Sequence, residues 1–306
     1  RMHQIWKELV HHVKDDYTPR SYLLTGLLLT LLLLGNYYFE FKNDLFKGIS
    51  NWSYLWFNGA VFYLSYYGAV LIKSGTAPFK NKDFLISSFS IIAIATLSSS
   101  LLFARDWVSG FSQMEQYYLM RILFNSLGSI VVFVGLGILF YVHDKGKVDG
   151  FYGLSIRKKH NYLPYFGLLL LMLPLLIWAS SQAHFLDTYP MFKANRYQSV
   201  FGLSLQQMTA IFEGFYLLDF IRVELIFRGA LIIGLSRFLG KDVVLPMVVI
   251  YCMLHINKPL GEAISSIFGG YLLGVIALYQ RHIIGGCIVH MGIAGLMELL
   301  AYMASS

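Results

Sequence analysis

The chain alternates long apolar runs with short polar connections. It shows neither the period-two alternation of half-buried strands nor the narrow apolar stripe of a surface helix. The run at 27–34, Leu-Leu-Leu-Thr-Leu-Leu-Leu-Leu, is typical. Stretches at 21–39, 54–72, 84–104, 118–142, 163–180, 212–235, 243–257, 262–279 and 283–303 come close to the roughly 20 helical residues that cross a hydrocarbon layer. Unpaired backbone groups are not tolerated in lipid, so each is predicted to be a helix. The expected fold class is all-α, a polytopic integral membrane protein with about nine transmembrane helices.

Composition fixes the same class independently. In 306 residues, 57% are hydrophobic and 13% charged, and the mean hydropathy is +0.58. One soluble core cannot hide that much apolar surface. The net charge of +7 therefore reads as membrane topology and not as a nucleic-acid footprint, and no nucleic-acid partner is expected. Lys and Arg of the connections favour the inner side if the N-terminus is inside and the C-terminus outside. The expected location is the inner (cytoplasmic) membrane of a bacterium. Arg157, Lys158, Lys159 and His160 read as an anchor to acidic lipid. Tyr37, Tyr38, Trp52, Trp56, Tyr117 and Tyr118 read as interfacial belts. The first apolar run is long and has no small-residue cleavage site, so it is taken as a transmembrane helix and not a removed signal. Cys252 and Cys287 lie inside predicted helices and imply no disulfide.

Polar groups are unevenly spread among the spans. Asp219, Glu224, Arg228, His255, Glu262, His290 and Glu298 concentrate beyond residue 205, which divides the chain into an N-terminal transmembrane bundle, 1–204, and a four-helix membrane core, 205–306. The connection 181–204 is a candidate lid or docking surface. The segment 202–235 would measure about 50 Å if wholly helical, so a break or an interfacial stretch is expected before Gly214.

Ionisable groups inside a bilayer are costly enough to suggest function. Glu224 and Arg228 are i, i+4 neighbours that should meet and neutralise each other, as a structural ion pair or as part of a site. His255 closes a short helix. Pro259 and Gly261 then force a reversal that brings Glu262, at the start of the next helix, towards it. A glutamate there also suits the helix dipole. A lone histidine such as His290 most often bonds a neighbouring helix. Cys252 and His255 share a helix face, which suits a metal or simply a buried thiol beside a histidine.

Together these residues resemble the CPBP family of intramembrane proteases, which includes CaaX prenyl-protein endopeptidases. The family order is Glu-Glu-x-x-x-Arg, often closed by Phe-Arg-Gly, then Phe-x-x-x-His, then His-x-x-x-Asn or Asp. Glu224, Phe227, Arg228 and Gly229 match the first motif, Tyr251 and His255 the second with tyrosine for phenylalanine, and His290 the third. The later helix carrying Gly269-Gly270-Tyr271-Leu272-Leu273-Gly274 also has the family's look, and the resemblance covers about 213–303. Two positions depart from it. Val223 stands where the water-activating glutamate is expected, and Ala294 where the Asn or Asp that helps bind the oxyanion is expected.

The resemblance implies hydrolysis of a peptide bond in a membrane-tethered or lipid-modified protein. With Val223 unable to accept a proton, the expected catalytic set is Glu262 as relocated base, His255 orienting water, His290 at the oxyanion, and Glu224 with Arg228 holding the scaffold. Glu298, two turns beyond His290, is a reserve carboxylate. No cofactor is expected, although His255, His290 and Glu262 would suit zinc. A catalytically degenerate homologue serving as a membrane partner or chaperone subunit is the alternative. A transporter is a third reading, disfavoured because the paired broken-helix repeats of that class are not visible.

Overall fold

A computed structural model describes residues 2–38, 51–154, 161–182, 185–256 and 258–305. The basic run 157–160, Phe39 at the end of the first expected span, and Asn257 lie outside them. Among the described residues the chain is helical, with no strand and a single isolated bridge between Phe151 and Leu154.

Helix α1 (Met2–Asp16) ends where Thr18 precedes Pro19. The proline ring excludes helical geometry from the residue before it, and Thr18 is extended (φ −125°, ψ 120°). The chain therefore turns by 99° into α2 (Pro19–Tyr37). Next come α3 (Asn51–Ser74), α4 (Lys82–Ser99), α5 (Gln113–Leu139) and α6 (Leu163–Ser180). The site-bearing segment follows as α7 (Leu205–Glu224), a π-helical stretch Leu225–Gly234, α8 (Val244–Leu254), α9 (Leu260–Gln280) and α10 (Ile284–Ser305).

Among the described residues, six helical segments are long and apolar enough to cross a membrane: Trp52–Ser74, Lys82–Val108, Gln113–Asp144, Leu163–Ser180, Leu260–Gln280 and Ile284–Ala304. The bent pair formed by α1 and α2 would make a seventh. The protein is thus an all-α integral membrane protein, and two of the nine expected spans differ from expectation. α8 has 11 residues, all buried except the last, and at 1.5 Å per residue it reaches about 16 Å, half a hydrocarbon layer. It is an internal core helix. The span expected at 212–235 carries too many charges to qualify by hydropathy, and of the two alternatives expected before Gly214, a break or an interfacial stretch, the break does not occur. The helix runs unbroken from its capping box, Ser204 with Gln207, and departs from α geometry only at Leu225.

α8 sits at the centre, packed on α9 and α3, with α9 also against the π-helical stretch and α10 against α6 and α7. One core cluster draws Phe62, Tyr66 and Ile91 from the N-terminal half together with Phe227, Ile232 and Val248. Glycines let α9 approach α8: a Cβ at Gly270 would lie 2.9 Å from the Tyr251 ring, and one at Gly274 would lie 2.6 Å from the Met247 methyl.

The aromatic belts divide. Tyr38, Trp52, Trp56 and Tyr117 are exposed, as interfacial residues should be. Tyr118 is buried and donates to the Met208 carbonyl (3.0 Å), and the Tyr37 hydroxyl donates to the Lys258 carbonyl (2.5 Å).

Candidate functional site

The end of α7 delivers a carboxylate into the protein interior. Glu224 is fully buried and Arg228 is 1% exposed, and Glu224 Oε1 lies 2.9 Å from Arg228 Nη1. The i, i+4 spacing places them on one helix face, where each charge offsets part of the cost of burying the other. The same Oε1 lies 3.0 Å from His290 Nδ1, on α10. A carboxylate can only accept, so Nδ1 carries a proton, and in the neutral ring Nε2 is left with its lone pair. Glu224 Oε2 has no hydrogen-bond partner and faces Gly286, one turn before His290; a Cβ there would come within 2.2 Å of it. Only glycine lets α10 pass this close.

Tyr251 of α8 joins the remaining groups. Its ring lies under the Arg228 guanidinium, 4.2 Å from Cζ to centroid, and its hydroxyl is 3.4 Å from His290 Nε2. The His255 ring packs edge-on against the Tyr251 ring at 4.7 Å. His255 Nδ1 is 3.0 Å from the Tyr251 carbonyl oxygen, four residues back. That carbonyl also only accepts, so His255 likewise presents a bare Nε2. Both histidines are half-buried. Val223 is buried in the apolar core, and Ala294, one turn beyond His290, presents only a methyl group.

Glu262 has other partners. The Tyr189 hydroxyl donates to its Oε2 (2.9 Å), and Lys258, four residues earlier, stands 3.5 Å from its Oε1. A cation thus stands beside the carboxylate expected to be the relocated base, and no hydrogen bond or ion pair joins Glu262 to His255 or His290. Burial and the neighbouring Glu262 carboxylate push the Tyr189 phenol well above its ordinary pKa, so it stays protonated and donating.

Glu298 anchors the 181–204 connection. It is 3% exposed and both its oxygens accept from the Met191 N–H at 3.0 Å, while the nearby Glu213 carboxylate accepts from the Tyr302 hydroxyl (3.2 Å). The connection is therefore pinned over the ends of α9 and α10 by Tyr189 and Met191. Phe192 locks it further by stacking on Phe212 at 5.3 Å.

Among the described residues, no three His, Cys, Asp or Glu side chains are grouped to hold a metal ion. The Cys252 thiol donates to the Ala263 carbonyl (3.5 Å), and His255 Nδ1 faces the Tyr251 carbonyl (3.0 Å).

The assembled set is thus Glu224, Arg228, Tyr251, His255 and His290. Sequence reasoning named all but Tyr251 as site residues, and the motif position of Tyr251 was the signal available. It also missed Gly286, whose signal was a glycine one turn before a membrane histidine.

Residues 206–296 match the family model described as type II CAAX prenyl endopeptidase Rce1-like. The segment that holds the buried carboxylate and both histidines therefore carries the signature of a CAAX-type intramembrane protease family, in agreement with the CPBP resemblance of the motifs. No curated protein and no solved structure gives a significant match.

Proposed function

We propose that the protein is an intramembrane endopeptidase that hydrolyses a peptide bond in a membrane-tethered protein, with His290 as proton acceptor and Glu224 as the carboxylate that orients it. The hydrogen bond between Glu224 and His290 Nδ1, at 3.0 Å inside the helical core, carries this reading. It fixes the tautomer and would stabilise an imidazolium when one forms, as carboxylates do for histidine bases elsewhere. Arg228 tempers the carboxylate's charge and holds its position.

In this scheme a water donates one proton to His290 Nε2, and its second O–H is oriented by His255 Nε2. Its oxygen adds to the scissile carbonyl carbon and the carbonyl π-bond becomes an oxyanion. As the C–N bond breaks, the proton on His290 passes to the leaving amine. The acid expected at Val223 is not used. Glu262, with Lys258 and Tyr189, holds the turn between α8 and α9 and leaves the base role to His290.

The family's printed description names prenyl endopeptidases, so a C-terminal peptide bearing a prenylated cysteine is the substrate class tried first. The proposed orientation keeps the N-terminus inside. The 1–204 segment supports the core and offers a surface to a partner subunit in the bilayer.

A second reading is a non-cleaving membrane partner, favoured by the valine at 223 and the methyl group at 294. The two separate in cells. Deleting the gene should leave at least one membrane protein uncut, detected by its missing new N-terminus, and wild type but not His255→Ala should restore the cut. Equal rescue by both would leave the partner reading.

A further inference from the structure

Peptide-bond hydrolysis creates an oxyanion, and a site that lowers its barrier needs a donor aimed at that oxygen. In this site the obvious donors are already used. His290 Nδ1–H is directed at Glu224 and His255 Nδ1–H at the Tyr251 carbonyl, which leaves both histidines presenting lone pairs. Ala294 supplies nothing. Arg228 lies behind the Tyr251 ring and is 1% exposed.

The group that remains is the Tyr251 hydroxyl. We infer that Tyr251 is the donor that binds the oxyanion, replacing the Asn or Asp side chain that position 294 lacks. This rests on the endopeptidase reading above and adds a residue to it. The hydroxyl stands 3.4 Å from His290 Nε2, at the long end for a hydrogen bond, so a reacting oxygen arriving beside Nε2 can displace that contact. The ring cannot swing away. It is 4% exposed, lies against Gly270 where a Cβ would come within 2.9 Å, and packs on Phe227 at 5.1 Å. The cation over its face draws electron density from the ring and strengthens the O–H as a donor. No proton leaves Tyr251 in the cycle; its O–H donates to the oxyanion while the water's proton moves to His290.

The substitution Tyr251→Phe removes one oxygen and nothing else. Assayed in liposomes on a fluorogenic peptide with a farnesylated cysteine and on an unlipidated single-span peptide, it should lower kcat by about 100-fold while KM stays within a factor of about three, the pattern of an interaction made only in the transition state. Adding Ala294→Asn in the same chain places an amide one turn from His290 on the same face and should recover at least about tenfold of the loss. A purely structural tyrosine would show no such rescue, and the SDS-unfolding midpoint shows whether Tyr251→Phe remains folded. If wild type cleaves, His290→Ala does not, and Tyr251→Phe matches wild type, the donor role is overturned and the endopeptidase reading stands. A folded Tyr251→Phe that loses kcat without rescue by Ala294→Asn also overturns the substitution of one donor for the other. If wild type and His290→Ala are equally inert on both peptides, the endopeptidase reading fails and the donor role fails with it.

Discussion

Replacing Glu224 by glutamine removes one charge of a pair in which neither side chain is more than 1% exposed. Removing one partner strands the other without compensation, a change worth about 3–5 kcal/mol in buried pairs. Two features place this case at the low end. A glutamine oxygen can still accept from His290 Nδ1–H, and the guanidinium keeps its stack on Tyr251 at 4.2 Å. A loss near 3 kcal/mol corresponds to roughly a hundredfold in the folding equilibrium, which SDS-driven unfolding of purified protein resolves. Removing both charges in Glu224→Gln with Arg228→Met should restore stability to within about 1 kcal/mol, because apolar replacement of a whole buried pair is near neutral. Activity should not return with it. His290 would still lack the carboxylate that stabilises its protonated form, and carboxylate-to-amide changes beside a histidine base lower kcat by about 10²–10⁴. Stability of Glu224→Gln equal to wild type would refute the buried pair, and full activity of the double variant would refute the orienting role.

Three other outcomes follow from the geometry. Gly286→Ala puts a methyl group 2.2 Å from Glu224 Oε2, so it should cost about 1–3 kcal/mol by overpacking and lower cleavage beyond what its folded fraction explains; an unperturbed rate would mean α10 passes less closely. Glu262→Gln should cost under about 1 kcal/mol because its Lys258 partner is partly exposed, and cleavage should stay within about tenfold of wild type; a loss above a hundredfold would return Glu262 to the role of base. Treatment with a zinc chelator such as 1,10-phenanthroline should leave cleavage unchanged, and loss that added zinc reverses would reveal a metal ligand set.

Much of the fold is readable in the chain because lipid imposes one solution on long apolar runs. The exceptions are instructive. The run at 244–254 is as apolar as its neighbours, and only its length, 11 residues, distinguishes a helix surrounded by protein from one surrounded by lipid. The segment from Leu205 is helical beyond the usual crossing length because its charges pair within the protein: Asp219 with Arg222 at 2.6 Å and Glu224 with Arg228 at 2.9 Å.

At the site, local spacing was legible and distant pairing was not. Glu224 and Arg228 meet because a helix requires it. Lys258 and Glu262 have the same spacing, but Pro259 and Gly261 between them argue for a turn, where spacing guarantees no meeting. The bond from Glu224 to His290 spans 66 positions and that from Tyr189 to Glu262 spans 73; no periodicity encodes either. The tyrosine at 251 announces an extra oxygen in sequence, yet only the packing on Gly270 and Arg228 fixes where that oxygen points.

The most direct test of the Glu224–His290 base is the turnover of the two peptides in liposomes by wild type and His290→Ala, prepared side by side and matched for folded fraction. The account predicts cleavage by wild type and a loss of at least about a hundredfold in kcat for the variant. Cleavage by His290→Ala at the wild-type rate would contradict it.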